Sequence, residues 1–253
     1  MSLPILETAK YELTLPSQDT KVSYRPFLVK EEKLLLMALE SQESKQITNA
    51  LKSIVDACTF GSLNVSALPT FDLEYIFLQI RAKSVGEIAK LKIKCPDDNE
   101  TYANVEVDLA TVEVQVDDAH TNELEINDKI KIIMKYPTID SFDADIDAAN
   151  LKTGQMFDMI ASSIYQIYDG ETVHNAKDYK KEELNAFIES LSSAHFEKIQ
   201  KFFQTMPKLQ QEIEVENPKT KVKSKMMLQG LSDFFVSPSH TTTYKIISRL
   251  ILR

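Results

Sequence analysis

The sequence predicts an α+β fold: an N-terminal hairpin carrying a three-helix layer, central antiparallel β-hairpins with a degenerate zinc-ribbon-like character, and C-terminal helices. Three observations carry this. Stretches of period-two alternation lie at the start, in the middle and near the end of the chain, each broken by a Pro-containing turn cluster. Between them run stretches whose apolar residues recur near every 3.6 positions, the period of a helix with one buried stripe. The 253 residues are 43% hydrophobic and 26% charged, a globular balance with enough apolar surface for a core.

Tyr11–Leu15 and Lys21–Tyr24 alternate polar and apolar residues across Pro16-Ser17-Gln18-Asp19-Thr20, a hairpin that Pro26 terminates. The first helix spans Val29 to Leu39, with Val29, Leu35, Leu36 and Leu39 near one face and Lys30, Glu31, Glu32 and Lys33 mostly opposite. Ser41 to Ser44 breaks it. A second helix runs from about Lys45 to Cys58 with Ile47, Leu51, Ile54, Val55 and Cys58 on one stripe, and Gly61 lies just past its end, where a left-handed residue closes a helix most cheaply. Thr70 is positioned to cap a third helix, Phe71 to Ala82, with Leu73, Ile76, Phe77 and Ile80 on its apolar face.

The period then changes to two. Ile88–Lys94 and Tyr102–Asp108 form a second hairpin across a CPDDNE turn, and Val112–Val116, Glu123–Ile126 and Lys129–Tyr136 continue the β character until Pro137. A helix from about Gly154 to Tyr168 follows an acidic stretch, Asp169-Gly170 is a turn, Asp178 caps a helix over Tyr179–Leu191, and Ser192 or Ser193 caps another through Phe203. Lys208–Val215 and Lys221–Leu228 form a third hairpin, and a last helix falls around Thr243–Leu252. These elements group as residues 1–86, 87–137, 138–207 and 208–253, with no repeat and no long linker to separate them.

Composition excludes several classes of function. With 5 glycines, a glycine-built phosphate cradle is nearly ruled out, and a net charge of −9 opposes binding to nucleic acid. The Lys-rich stretches Lys177–Lys181 and Lys219–Lys225 are short and interrupted, as on solvated faces. Two cysteines, Cys58 and Cys95, do not make a disulfide framework. No basic-then-apolar leader and no run of about 18 apolar residues is present, so a cytosolic protein that does not span a membrane is expected.

The search for chemistry finds little. His120, His174, His195 and His240 lie far apart without local partner motifs. Ser239 lacks the small-residue surroundings of a hydrolase nucleophile, and a helix-entry cap explains it better. Asp140, Asp143, Asp145 and Asp147 miss the Gly and Glu of a calcium loop, which leaves a solvated acidic loop. The chain is therefore expected not to be an enzyme. Two turns stand out: Cys95-Pro96-Asp97-Asp98 and Asn217-Pro218-Lys219-Thr220. A zinc ribbon places two CPxC knuckles at hairpin turns so that four thiolates converge. Here one of the four ligand positions (Cys95, Asp98, Asn217, Thr220) is Cys, so the expectation is a ribbon-like hairpin pair without its metal and no cofactor. Two ordinary hairpins would read the same way. On the first helix, Leu34, Leu35, Leu36 and Met37 in a row exceed what one packing face needs. That makes Leu34 and Met37 candidate partner contacts, with a broad core face as the alternative.

Tyr24–Ser41 (YRPFLVKEEKLLLMALES), Thr59–Glu87 (TFGSLNVSALPTFDLEYIFLQIRAKSVGE) and Met226–Phe235 (MMLQGLSDFF) resemble the T4-type bacteriophage baseplate protein family, whose members are hub or hub-assembly proteins of contractile-tailed phages. The resemblance covers most of the chain and is most specific in its first ninety residues. It implies protein–protein contact in building the baseplate hub, with other hub or tail proteins as partners, an oligomer as one possible state, and a place in the virion, in the host cytoplasm during assembly, or in both. A chaperone absent from the finished particle fits the same blocks, and an unrelated interaction module is the remaining alternative. The resemblance also implies CPxC knuckles in some relatives, from which this chain departs at three of four ligand positions. It supplies no catalytic residues.

Overall fold

The computed structural model describes residues 7–41, 43–141 and 153–234. The fold is α+β, as the alternating periods predict, and its buried apolar side chains form two clusters.

The first cluster is built around one helix. Strands β1 (Tyr11–Leu15) and β2 (Thr20–Tyr24) pair as a hairpin in the register Tyr11↔Tyr24, and helices α1 (Val29–Ser41) and α2 (Ser44–Cys58) follow. The α2 stripe is buried as expected, with Ile47, Leu51, Ile54, Val55 and Cys58 all inside. Helix α3 (Thr70–Val85) then runs through the middle and is buried on nearly every side, so even Asp72, Glu74 and Gln79 are inside. Around it stand the hairpin β3 (Ile88–Lys94) with β4 (Tyr102–Asp108) and a three-stranded sheet. That sheet has the order β11-β10-β5, from β5 (Glu113–Gln115), β10 (Lys208–Glu216) and β11 (Lys223–Gln229), and the short α7 (Gly230–Asp233) closes it.

The second cluster lies in the chain between β5 and β10. A four-stranded antiparallel sheet, β6 (Glu123–Glu125), β7 (Ile130–Met134), β8 (Ile164–Asp169) and β9 (Thr172–Asn175), buries Ile132, Ile164 and Ile167. Packed in the same cluster are side chains of α4 (Thr153–Ser163), α5 (Lys181–Glu189) and α6 (Ser193–Thr205), Ile160, Ile188, Ile199 and Phe202 among them.

The clusters meet along a seam. Thr70 donates to the Pro137 carbonyl from its backbone N–H (3.1 Å) and its hydroxyl (3.0 Å). Phe71 meets Tyr136 edge to face at 5.1 Å, and Tyr136 in turn stacks on His120 (5.6 Å) and Phe202 (5.8 Å).

Several expectations need correction. The helix predicted to reach Tyr168 stops at Ser163, and Ile164–Asp169 is a strand between β7 and β9. Ser162 and Ser163 both turn their hydroxyls onto the Met159 carbonyl (2.8 and 2.9 Å), a local bond that weakens a helix. The Ile-Tyr-Gln-Ile-Tyr run beyond them suits a pleated surface. Asp178 ends a 3₁₀ turn instead of capping a helix; α5 starts at Lys181, where the Glu183 carboxylate accepts the Lys180 N–H at 2.8 Å. Thr70 lies inside α3, after Pro69, with its hydroxyl spent on Pro137. Ser192 does cap α6, accepting from the His195 N–H at 3.3 Å. The predicted last helix, with Ser239 and His240, and the acids Asp143, Asp145 and Asp147 fall outside the described residues.

Candidate functional site

Helix α1 is held at its base and open on its outer face. Arg25, at the end of β2, donates through Nη2 to Glu31 Oε1 (2.9 Å) and through Nη1 to the Pro26 carbonyl (2.9 Å). The other Glu31 oxygen accepts the Leu28 N–H at 2.8 Å, so a third-position Glu reaches back to the residue before the helix, half of a capping box. The Phe27 N–H donates to Ser84 Oγ (2.9 Å), tying this junction to α3. Burial alone would push the Glu31 carboxyl up, but the hydrogen bonds from Arg25 and Leu28 and the guanidinium charge outweigh it and hold the pKa below its ordinary value. A buried Arg–carboxylate pair gives geometry more dependably than net stability, and here the geometry is the entry angle of α1.

That anchoring sets the rotation of the helix and corrects the predicted phase. The inward side of α1 is Glu31, Ala38 and Leu39, with Leu35 partly buried against the core. Val29 and Leu36, expected on the apolar inner face, point outward, because the inward turn at the helix start is taken by Glu31. Val29 is 80% exposed, Leu36 51%, Met37 56% and Leu34 40%. Leu34 and Met37, singled out from the sequence, are therefore on the surface. Val29 and Leu36 were missed, although their seven-residue spacing puts them on one line along a helix.

The two distinctive turns come together. Asn217 Nδ2 donates to Asp97 Oδ1 (2.9 Å) and Oδ2 (3.0 Å) and to Asp98 Oδ2 (3.0 Å), and Thr220 Oγ1 donates to Asp97 Oδ2 (2.5 Å). Asn217 and Cys95 are both 1% exposed. The turns also share a backbone shape: the N–H of Asn99 closes onto Cys95 O (3.0 Å) and that of Lys221 onto Asn217 O (2.9 Å), and both closing residues have positive φ, 53° and 63°. The first hairpin has the same turn at Leu15-Pro16, closed by Asp19 (φ 51°). Turn shape is thus shared by three hairpins, and the side-chain junction joins the 95 and 217 turns.

Among the described residues, the remaining candidates do not come together in one reactive site. His120 Nδ1 lies 2.9 Å from Thr205 Oγ1 and its Nε2 3.1 Å from Tyr136 Oη. The Thr205 hydroxyl proton goes to the Lys201 carbonyl (2.8 Å), so Thr205 accepts from Nδ1–H and neutral His120 accepts from Tyr136 through Nε2. Burial holds the His120 pKa below its usual value. His174 meets Tyr179 Oη at 2.6 Å on the surface, His195 begins α6, and Asp140 pairs with Lys52 at 2.7 Å. Among the described residues no three His, Cys, Asp or Glu side chains converge as a metal requires, and no helix is long and apolar enough to cross a membrane.

The distinctive features of this α+β chain are an anchored helix with an apolar outer face and a polar junction between hairpins. The family comparison supplies the setting. The chain belongs to the T4 bacteriophage base plate protein family, whose model matches residues 8–236. No curated protein and no solved structure gave a significant match.

Proposed function

We propose that this baseplate protein is a hub subunit or hub-assembly factor of a contractile-tailed phage, that it works without catalysis, and that the outer face of α1 is where it meets another tail protein. The observation carrying this reading is the exposure of Val29, Leu34, Leu36 and Met37 on a helix whose orientation is fixed from beneath by Arg25 and Glu31. Fully burying one such side chain contributes about 1.5–3 kcal/mol, so a few of them form the centre of an interface. A standard interface of roughly 1,600 Å² is larger than this face, so neighbouring surface takes part.

Leu36→Asp and Met37→Asp test it. Each change is at the surface and is expected to alter stability by no more than about 0.5 kcal/mol. Capture of other tail proteins from infected cells is expected to fall about 10- to 100-fold, the equivalent of one lost apolar anchor. Unchanged capture by both variants would place the contact elsewhere. Mass spectrometry of purified particles separates the two roles: peptides of this chain at a fixed ratio to other tail proteins mark a subunit, and their absence marks an assembly chaperone.

A further inference from the structure

We propose that the junction of the 95–98 and 217–220 turns is a metal-independent clasp, in which a carboxylate–amide–hydroxyl network occupies the place of the zinc that the knuckle positions imply. The argument rests on the donor set. The amide nitrogen of Asn217 faces Asp97 and Asp98, which as carboxylates can only accept. Its oxygen faces the N–H groups of Lys219 (2.8 Å) and Thr220 (3.2 Å), which can only donate. The partners therefore fix the amide orientation and leave no lone pair pointing into the junction. Asp98 is equally committed, accepting from the N–H groups of Glu100 and Thr101 (both 3.0 Å) and from Thr101 Oγ1 (2.5 Å). The Thr220 hydroxyl is a donor here.

Cys95 is the one thiol among the four positions. Structural zinc takes four nitrogen, sulfur or carboxylate donors. Of the other three positions, Asp98 offers a committed carboxylate, Asn217 an amide oxygen turned to backbone N–H groups, and Thr220 a hydroxyl already donating to Asp97. What a metal would do, hold together two turns about 120 residues apart in sequence, is done by hydrogen bonds, several of them charge-assisted and hence of the stronger class.

Asp97 is the residue on which to test this. It is exposed, and its carboxylate accepts from side chains of the opposite turn. In the full chain, Asp97→Ala is expected to accelerate amide hydrogen exchange at residues 217–222, across the junction, and to lower Tm by about 3–10 °C. Unchanged exchange in that turn would overturn the clasp. Protein purified without chelator is expected to carry far less than one zinc per chain and to melt at the same temperature with and without EDTA. Stoichiometric zinc, or a thiolate-to-cobalt band on cobalt addition that Cys95→Ser removes, would also overturn the proposal.

Discussion

Glu74 lies inside the central helix, 3% exposed, with no hydrogen-bond partner for its Oε1. Burial pushes its pKa well above 4.5, and the charge of Asp233 adds to the rise. The direction of the linkage follows. A carboxyl whose folded pKa is raised stabilises the fold most below the unfolded value, and that contribution is lost as pH rises towards the folded one. Glu74→Met, which removes the buried acid and keeps much of its volume, is expected to gain about 1–3 kcal/mol at neutral pH. The gain should shrink towards zero near pH 4.5, a trend that urea titrations at the two pH values would show. Single residues were unevenly legible. Ile47, Leu51, Ile54, Val55 and Cys58 could be placed inside from spacing alone. Glu31 could not, because what draws it inward is an arginine six positions earlier and a backbone N–H, and periodicity reports neither.

Among elements, the hairpin of β8 and β9 shows how a local signal loses to a neighbour. Residues 154–168 read as one helix because they are apolar on most sides, a property shared by buried helices and buried strands. The choice is settled by β7, which pairs with Ile164–Asp169 only after the chain has returned past it. The turn was nonetheless visible as Asp169-Gly170. Gly170 has φ 60°, and Asp169 pairs with Thr172, so the hairpin turns through Gly170-Glu171 with the glycine in the left-handed position. A Cβ added there would meet nothing within 4 Å, so only the backbone resists substitution. Gly170→Ala is expected to cost about 1–2 kcal/mol and Gly170→Asn less, measured by denaturant unfolding, since Asn tolerates that conformation. The first three hairpin signals were easier to read, because Pro16, Pro96 and Pro218 each fix φ at the start of a turn whose fifth residue is left-handed.

At the scale of the whole molecule, the two apolar clusters share a seam that holds His120, whose ordinary pKa lies near neutral pH. Its neutral form donates to Thr205 and accepts from Tyr136, packed beside Phe202. Since burial lowers its pKa, the stabilisation it gives is complete above 6.5 and is lost as pH falls through the folded value. Melting temperatures between pH 7.5 and 5 are expected to fall less steeply in His120→Gln than in the unaltered protein. The excess slope should trace to the seam, as faster amide exchange around residues 136–138 in the unaltered protein. The α+β class and most hairpins could be read from the chain, but this division could not, because it depends on β5 pairing with β10. Three residues, Glu113–Gln115, choose a partner more than ninety positions away, and no short-range pattern encodes that choice.

That pairing also sets a timetable. When the ribosome has released β5, the central helix still lacks β10, which packs against it, and roughly 90 more residues must emerge before that strand begins. At about 5–20 residues per second the interval lasts on the order of 5–20 s. The excursion between β5 and β10 includes all four strands of its own sheet, so it can collapse while the earlier part waits. The last described residues to leave the ribosome are those that seal the first core, and a nascent chain stalled before Lys208 would keep α3 open to chaperones and to premature partners.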